Sequence, residues 1–121
     1  MDTKATLENL KQSAQVFCEE REWDQFHGAK DLAIGAVTES AELLEIFRFQ
    51  KDEDCERLIH EMGPDRQKVS DELSDILFFV VRIAQKYGFD LSEAFEAKMQ
   101  KNRAKYPVEK ARGSNKKYDQ L

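Results

Sequence analysis

Four acidic side chains set inside apolar runs restrict this chain more than anything else in it: Glu39 and Glu42 in TESAELLEIF, and Glu72 and Asp75 in SDELSDILFF. Each pair is spaced i, i+3, which on an α-helix puts both side chains on one face, a turn apart. At about 100° per residue, Gly35, Glu39, Glu42, Ile46 and Phe49 form one stripe of a helix. A stripe that only met water would not carry Ile and Phe. On the later helix Val69, Leu73, Ile76, Val80 and Ala84 make the expected core face. Glu72, Asp75, Phe79 and Arg82 lie to one side, with Phe78 beyond. Acids so enclosed need partners. Neighbouring carboxylates raise each other's pKa, and a hard divalent cation with oxygen ligands removes that conflict.

Everything else in the composition is compatible with two such helices facing each other in a small all-α domain. The chain has 121 residues, enough for one core and too few for two. Only two prolines and five glycines interrupt it, and a 3.6-residue period dominates. The net charge of −5 argues against nucleic acid as the main partner. No stretch approaches the roughly 20 apolar residues of a membrane span. MDTKATLENLKQ lacks an apolar signal core, so a cytoplasmic location is expected. Cys18 and Cys55 stand far apart without metal-ligand spacing and read as free thiols.

In chain order, the first helix is expected after Thr3 or Thr6 and runs to about Glu22. The aromatic cluster REWDQFHG follows, with Trp23, Phe26 and His27. The second helix runs from about Asp31 to Gln50 and is apolar around much of its circumference. Such a helix is central, or serves both a core and a subunit interface. Residues 51–65 read as a charged loop in which Leu58, Ile59 and Met62 form a short helical turn, and His60 has no evident partner. The third helix spans Asp65 to Tyr87 and is stopped by Gly88. The fourth spans Leu91 to Lys105, ahead of Pro107. Its stripe, Leu91, Ala94 and Phe95, continues into Lys98 and Asn102, a cation and an amide that on an inward face would need an anion. The last segment, from Tyr106 onward, has no helical period and reads as a basic strap bracketed by Tyr106 and Tyr118.

Taken together, the acid pairs, REWDQFH, ELSD, the KMxxNRxxYP pattern at Lys98 to Pro107 and the closing SNKKYDQL resemble the MazG-type all-α nucleoside triphosphate pyrophosphatases. The resemblance covers nearly the whole chain and is strongest to the small stand-alone kind typified by dCTP pyrophosphatase. It implies one domain over residues 1–121, a MazG-like four-helix bundle with residues 106–121 as an extended tail, assembled as a homodimer or homotetramer. It implies Mg²⁺, with Mn²⁺ as the substitute, held by Glu39, Glu42, Glu72 and Asp75, which would also be the catalytic set. Lys98, Asn102 and Arg103 match positions on the triphosphate or sugar. Trp23 and His27 match the aromatic side of a base pocket, Phe49 and Phe79 are substrate-facing, and Tyr118 would help the basic tail to close the site. Three departures bear on specificity: Phe49 stands where those relatives have Trp, Phe79 where they have Tyr, and Ala14 where they have His.

The implied reaction is hydrolysis of a (deoxy)nucleoside triphosphate, dCTP or a related pyrimidine deoxynucleotide, to the monophosphate and pyrophosphate, a nucleotide-pool sanitation activity. Water is the attacker, since no nucleophile triad is present. Glu42 or Glu45 is the candidate base. Two rivals stand beside it: a non-catalytic helical adaptor that binds a partner through its acidic cluster, and a hydrolase of another phosphoanhydride on the same fold.

Overall fold

Helix-forming periodicity carries through to the structure, a computed structural model that describes residues 1–121, contains no strand and is all-α. Six α-helices follow one another: α1 Leu7–Glu20, α2 Ala29–Phe47, α3 Asp52–His60, α4 Pro64–Tyr87, α5 Leu91–Lys105 and α6 Val108–Ala111. Single 3₁₀ turns cover Asp24–Phe26 and Tyr118–Gln120. The chain divides into two compact units, Met1–Gly88 and Phe89–Leu121.

Local chemistry sets the ends of these helices. Thr6 caps α1: its hydroxyl accepts the Asn9 N–H at 3.1 Å, and the Asn9 side chain accepts the Thr6 N–H at 3.0 Å. The start of α2 is tied by Asp31, whose carboxylate accepts the Gly28 N–H at 3.2 Å. Gly63, at φ 150°, occupies a backbone region that side chains avoid, and Pro64 then opens α4 with its φ already helical. Gly88, at φ 75°, closes α4 in the left-handed conformation, as its position after Tyr87 predicts. The charged segment expected as a loop forms α3 instead. Three acids in its first turn and Arg57 and His60 in its last complement the helix dipole, and His60 is exposed with its Nε2 3.4 Å from Glu56.

α4 is the hub of the first unit and packs on α1, α2 and α3. Ala14 and Cys18 of α1, Leu32 of α2, and Val69, Val81 and Ala84 of α4 form the buried core. The expected core face of α4 is therefore rotated. Val69 and Ala84 are buried, whereas Leu73 is 53% exposed and Val80 is also open. The helix faces α1 and α2 at once, which draws Val81 and even Arg82 inward. α2 presents a second uncovered apolar set, Ile34, Val37 and Leu44, with Val37 70% exposed.

In the second unit Asp90 caps α5, accepting the Glu93 N–H at 2.9 Å. Glu96 accepts from Gln100 at 3.0 Å and from Arg103 at 3.4 Å. The stripe expected to face inward is open, with Phe95 69% exposed and Lys98 exposed, because this unit offers no second long helix to cover it. The tail is more ordered than its composition predicts. Pro107 leads into α6, and Tyr118 returns to meet Tyr106 edge to face at 6.2 Å.

Candidate metal centre

The packing of α2 on α4 brings acids from the two sequence pairs together. Glu39 of α2 and Glu72 and Asp75 of α4 each present a carboxylate oxygen within 4.8 Å of the others. Ligand oxygens on opposite sides of a hard divalent cation lie roughly 4–5 Å apart, so three acids at this spacing can share one ion. Glu39 Oε2 and Glu72 Oε2 are buried and have no hydrogen-bond partner. Such an atom is costly unless something outside the chain satisfies it. Glu42 is exposed and stands outside the three-acid cluster, yet it is close enough to act on Glu39. Loss of water, then the Glu42 carboxylate and the charge of Asp75, push Glu39 up to about 7. Glu72 is raised too, chiefly by desolvation and by Glu42. A carboxylate held protonated by its neighbours is what bound cation charge would release.

A cleft of about 600 Å³ adjoins the acids. Glu39 and Asp75 line it, together with Ser13, Phe17, Phe78 and Phe79. The rings form a chain of edge contacts: Phe79 to Phe78 at 5.3 Å, Phe78 to Phe17 at 6.0 Å and Phe17 to Trp23 at 5.4 Å. Ala14 also lines the cleft, where a larger residue would take space from it.

Some expected site residues stand elsewhere. Trp23 backs the wall through Phe17 without lining the cleft. Phe49 lies beyond the end of α2 in a left-handed conformation, φ 68°, 92% exposed, with the Arg48 guanidinium 4.6 Å over its ring. His27 belongs to a different cluster. Arg82, only 1% exposed, donates through Nε to His27 Nδ1 at 3.3 Å, through Nη2 to the Asp24 carboxylate and through Nη1 to Gln85. Lys86 donates to the carbonyls of Asp24, at 3.0 Å, and of His27. The bond from Arg82 holds Asp24 below the usual carboxylate range. Burial, followed by the charges of Arg82 and Lys86, lowers His27. Because Nδ1 accepts from the Arg82 guanidinium, it carries no proton, and the ring N–H is on Nε2. Lys98, Asn102, Arg103 and Tyr118 belong to the second unit. There Asn102 is half-buried with its amide 3.9 Å from Met99 Sδ, and Tyr118 lies under Lys105 Nζ at 4.8 Å.

Sequence reasoning missed Ser13, Phe17 and Phe78 as cleft residues and Arg82 as a buried charge. The helical period could have found the first three, since Phe17 lies three residues from Ala14, Ser13 four from Phe17, and Phe78 three from Asp75. Arg82 pairs with Asp24 across 58 residues, which leaves no local spacing to read.

The family model described as MazG-like family matches residues 34–121. Bovine dCTP pyrophosphatase 1 is 38% identical over 98% of this chain and 70% of its own length. The human dCTP pyrophosphatase 1 is 36% identical over 96% of this chain and 68% of its own. The crystal structure of a pyrophosphatase from Archaeoglobus fulgidus superposes with a TM-score of 0.75 at 31% identity, covering 88% of this chain and 97% of that one.

Proposed function

Because this chain belongs to the MazG-like family, we propose that it is a nucleoside triphosphate pyrophosphohydrolase, depends on Mg²⁺ with Mn²⁺ as substitute, and acts on dCTP and related pyrimidine deoxynucleotides. The observation that carries the reading is the pair of buried, unpartnered oxygens on Glu39 and Glu72 at the edge of an aromatic cleft. The relatives that bear names are dCTP pyrophosphatases and a pyrophosphatase, which supports the same chemistry.

Glu39, Glu72 and Asp75 would hold the ion, with Glu42 at hand to complete the set. A divalent cation, when bound, neutralises phosphate oxygens and acidifies a water ligand. The chain's own groups do the rest. Glu42 is the better general base of the two candidates, because Glu45 is committed to Arg48 at 2.9 Å. Phe17, Phe78 and Phe79 offer apolar faces on which a base can stack without regard to its identity. Lys98, Asn102 and Arg103 are assigned to phosphate or sugar and Tyr118 to closure of the site, on the resemblance of KMxxNRxxYP and SNKKYDQL. Trp23 and His27 then support the base side from behind the wall, and Phe49 reaches a base from an exposed position.

Assembly belongs to the same proposal. Ile34, Val37 and Leu44 of α2 and Leu73, Leu77 and Val80 of α4 leave apolar surface open on a single chain, and a symmetric dimer or tetramer would cover it. No helix is long and apolar enough to cross a membrane, which is consistent with a cytoplasmic site of action. The test is a panel of triphosphates with Mg²⁺, scoring pyrophosphate against orthophosphate, beside light scattering at micromolar concentration. Pyrophosphate release from dCTP, dUTP or dTTP by an oligomer is expected. Release of orthophosphate alone, or no turnover, would reject the reaction, and a fully active monomer would reject the assembly.

A further inference from the structure

Arg82 takes no part in the metal centre, yet it lies one turn after Phe78 on the same face of α4. Its side chain is 1% exposed and out of reach of a substrate. Outside α4 its bonds go to one short segment, the turn between α1 and α2: Nε to His27 Nδ1 at 3.3 Å, and Nη2 to the Asp24 carboxylate. That turn needs an outside hold. Glu22 sits at φ 54°, a left-handed conformation that side chains rarely adopt and that persists only where the surroundings over-determine it. Within the turn the Trp23 N–H donates to the Cys18 carbonyl at 2.9 Å and Gln25 Nε2 to the Glu22 carbonyl at 2.9 Å. Arg82 and Lys86 supply the tie to α4. Trp23, carried by the turn, meets the His27 ring at 6.0 Å and the Phe17 ring at 5.4 Å, and Phe17 meets Phe78 at 6.0 Å. A closed circuit of contacts therefore runs from Arg82 through His27, Trp23 and Phe17 to Phe78, and back along one turn of α4. Glu39, Glu72 and Asp75 stand outside it.

We infer that Arg82 is a positioning residue for the cleft: by gripping Asp24 and His27 it fixes the turn that holds Trp23 against Phe17, and so sets how far the α1 wall stands from Phe78 and Phe79. This role rests on the proposed nucleotide reading and adds a residue that touches no substrate and acts through Phe17. A ligand between apolar walls is sensitive to their separation, because a gap of about 0.5–1 Å forfeits roughly a quarter to a half of the dispersion attraction. Loosening the clamp therefore weakens binding in the cleft. The acids lie outside the circuit, so the ion and the chemical step are left as they were.

The experiment measures kcat and KM with Mg²⁺ for the triphosphate that the full-length chain turns over best. The variants are Arg82→Met, Arg82→Lys, Phe17→Leu and the double variant Arg82→Met with Phe17→Leu. Circular dichroism and Mn²⁺ binding by electron paramagnetic resonance accompany each, and Trp23, the single tryptophan, reports on the turn through its fluorescence. Arg82→Met should raise KM by roughly tenfold and leave kcat within roughly threefold. Mn²⁺ binding should be kept and Trp23 emission should move to the red. Arg82→Lys keeps a bond to Asp24 but loses the fork, so KM should rise by only roughly threefold. Because Arg82 acts through Phe17, the double variant should have a KM within roughly threefold of Phe17→Leu alone. A folded Arg82→Met enzyme with an unchanged KM, or one whose kcat falls while KM holds, overturns the role of Arg82 and leaves the nucleotide reading standing. Full additivity with Phe17→Leu overturns the path through Phe17. If the natural chain binds Mn²⁺ but releases pyrophosphate from no triphosphate, the reading of the reaction fails and the role of Arg82 with it. Should Arg82→Met not fold, Arg82→Lys decides: a shifted Trp23 emission with an unchanged KM overturns the role.

Discussion

Two polar clusters share α4, about two turns apart, and differ in how their burial is compensated. Around Arg82 every group meets a complement: the guanidinium has Asp24, His27 and Gln85, and Lys86 donates to the carbonyls of Asp24 and His27 in the turn before α2. Around Asp75 the neighbours are all of one sign, and two of their oxygens are buried with nothing to accept from. Both clusters put charge where water is scarce. The first is complete within the chain and fastens the turn at Asp24–His27 to α4; the second is completed only by a ligand. Burial of charge therefore separates structural from functional acids less well than the presence or absence of a partner does.

The widest separation between the clusters should appear in turnover. Glu39→Gln and Asp75→Asn are expected to lower kcat by more than about a hundredfold, beyond the roughly 10–100-fold typical of a metal's outer partners. Their metal-free melting temperatures should be no lower than that of the natural chain, since each substitution removes repulsion. Two folded variants that keep near-normal turnover would erase the distinction.

At the other cluster the expected loss is in stability. Asp24→Asn leaves the buried Arg82 guanidinium without its anion and should lower the denaturant midpoint, by less than the loss of a fully buried pair would, because the Asp24 side chain is exposed. Turnover per folded molecule should change by less than about threefold. A variant as stable as the natural chain but inactive would turn the comparison round.

The smallest effect is a slope. Glu39 moves from its ordinary 4.5 to about 7 in the fold, and Glu72 shifts the same way. A folded state that holds its proton longer than the unfolded state is favoured below the unfolded value, and that advantage disappears as pH rises through the folded value. In chelator, the melting temperature should therefore fall between about pH 5 and pH 8, and Mg²⁺ should flatten or invert the trend. An equal slope with and without Mg²⁺ would separate the acids from the ion.

Legibility in the sequence followed the range of the interactions. Helix identity is local, so Thr6 as a cap, Gly88 as a stop and the four long helices could be read from period and punctuation. The segment 51–65 was harder to read, because its helix depends on dipole-matched charges and on packing against α4 rather than on an apolar stripe. Glu39, Glu72 and Asp75 were legible as a set because i, i+3 spacing fixes a face. That Glu42 stands outside them depends on the rotation of α2 against α4, which no spacing encodes. His27 and Trp23 could be read as an aromatic cluster, but not His27 as the partner of Arg82, which reaches it across 55 residues.

Cys18 of α1 lies against the Arg82 cluster, fully buried, with its Sγ 3.8 Å from His27 Nδ1 and its thiol pushed up by burial. Such a sulfur is protonated and out of reach of alkylating reagents, whereas Cys55 is partly accessible. Modification of Cys18 therefore has to await separation of α1 from α4, and its rate relative to Cys55 becomes a clock for how often that seam opens.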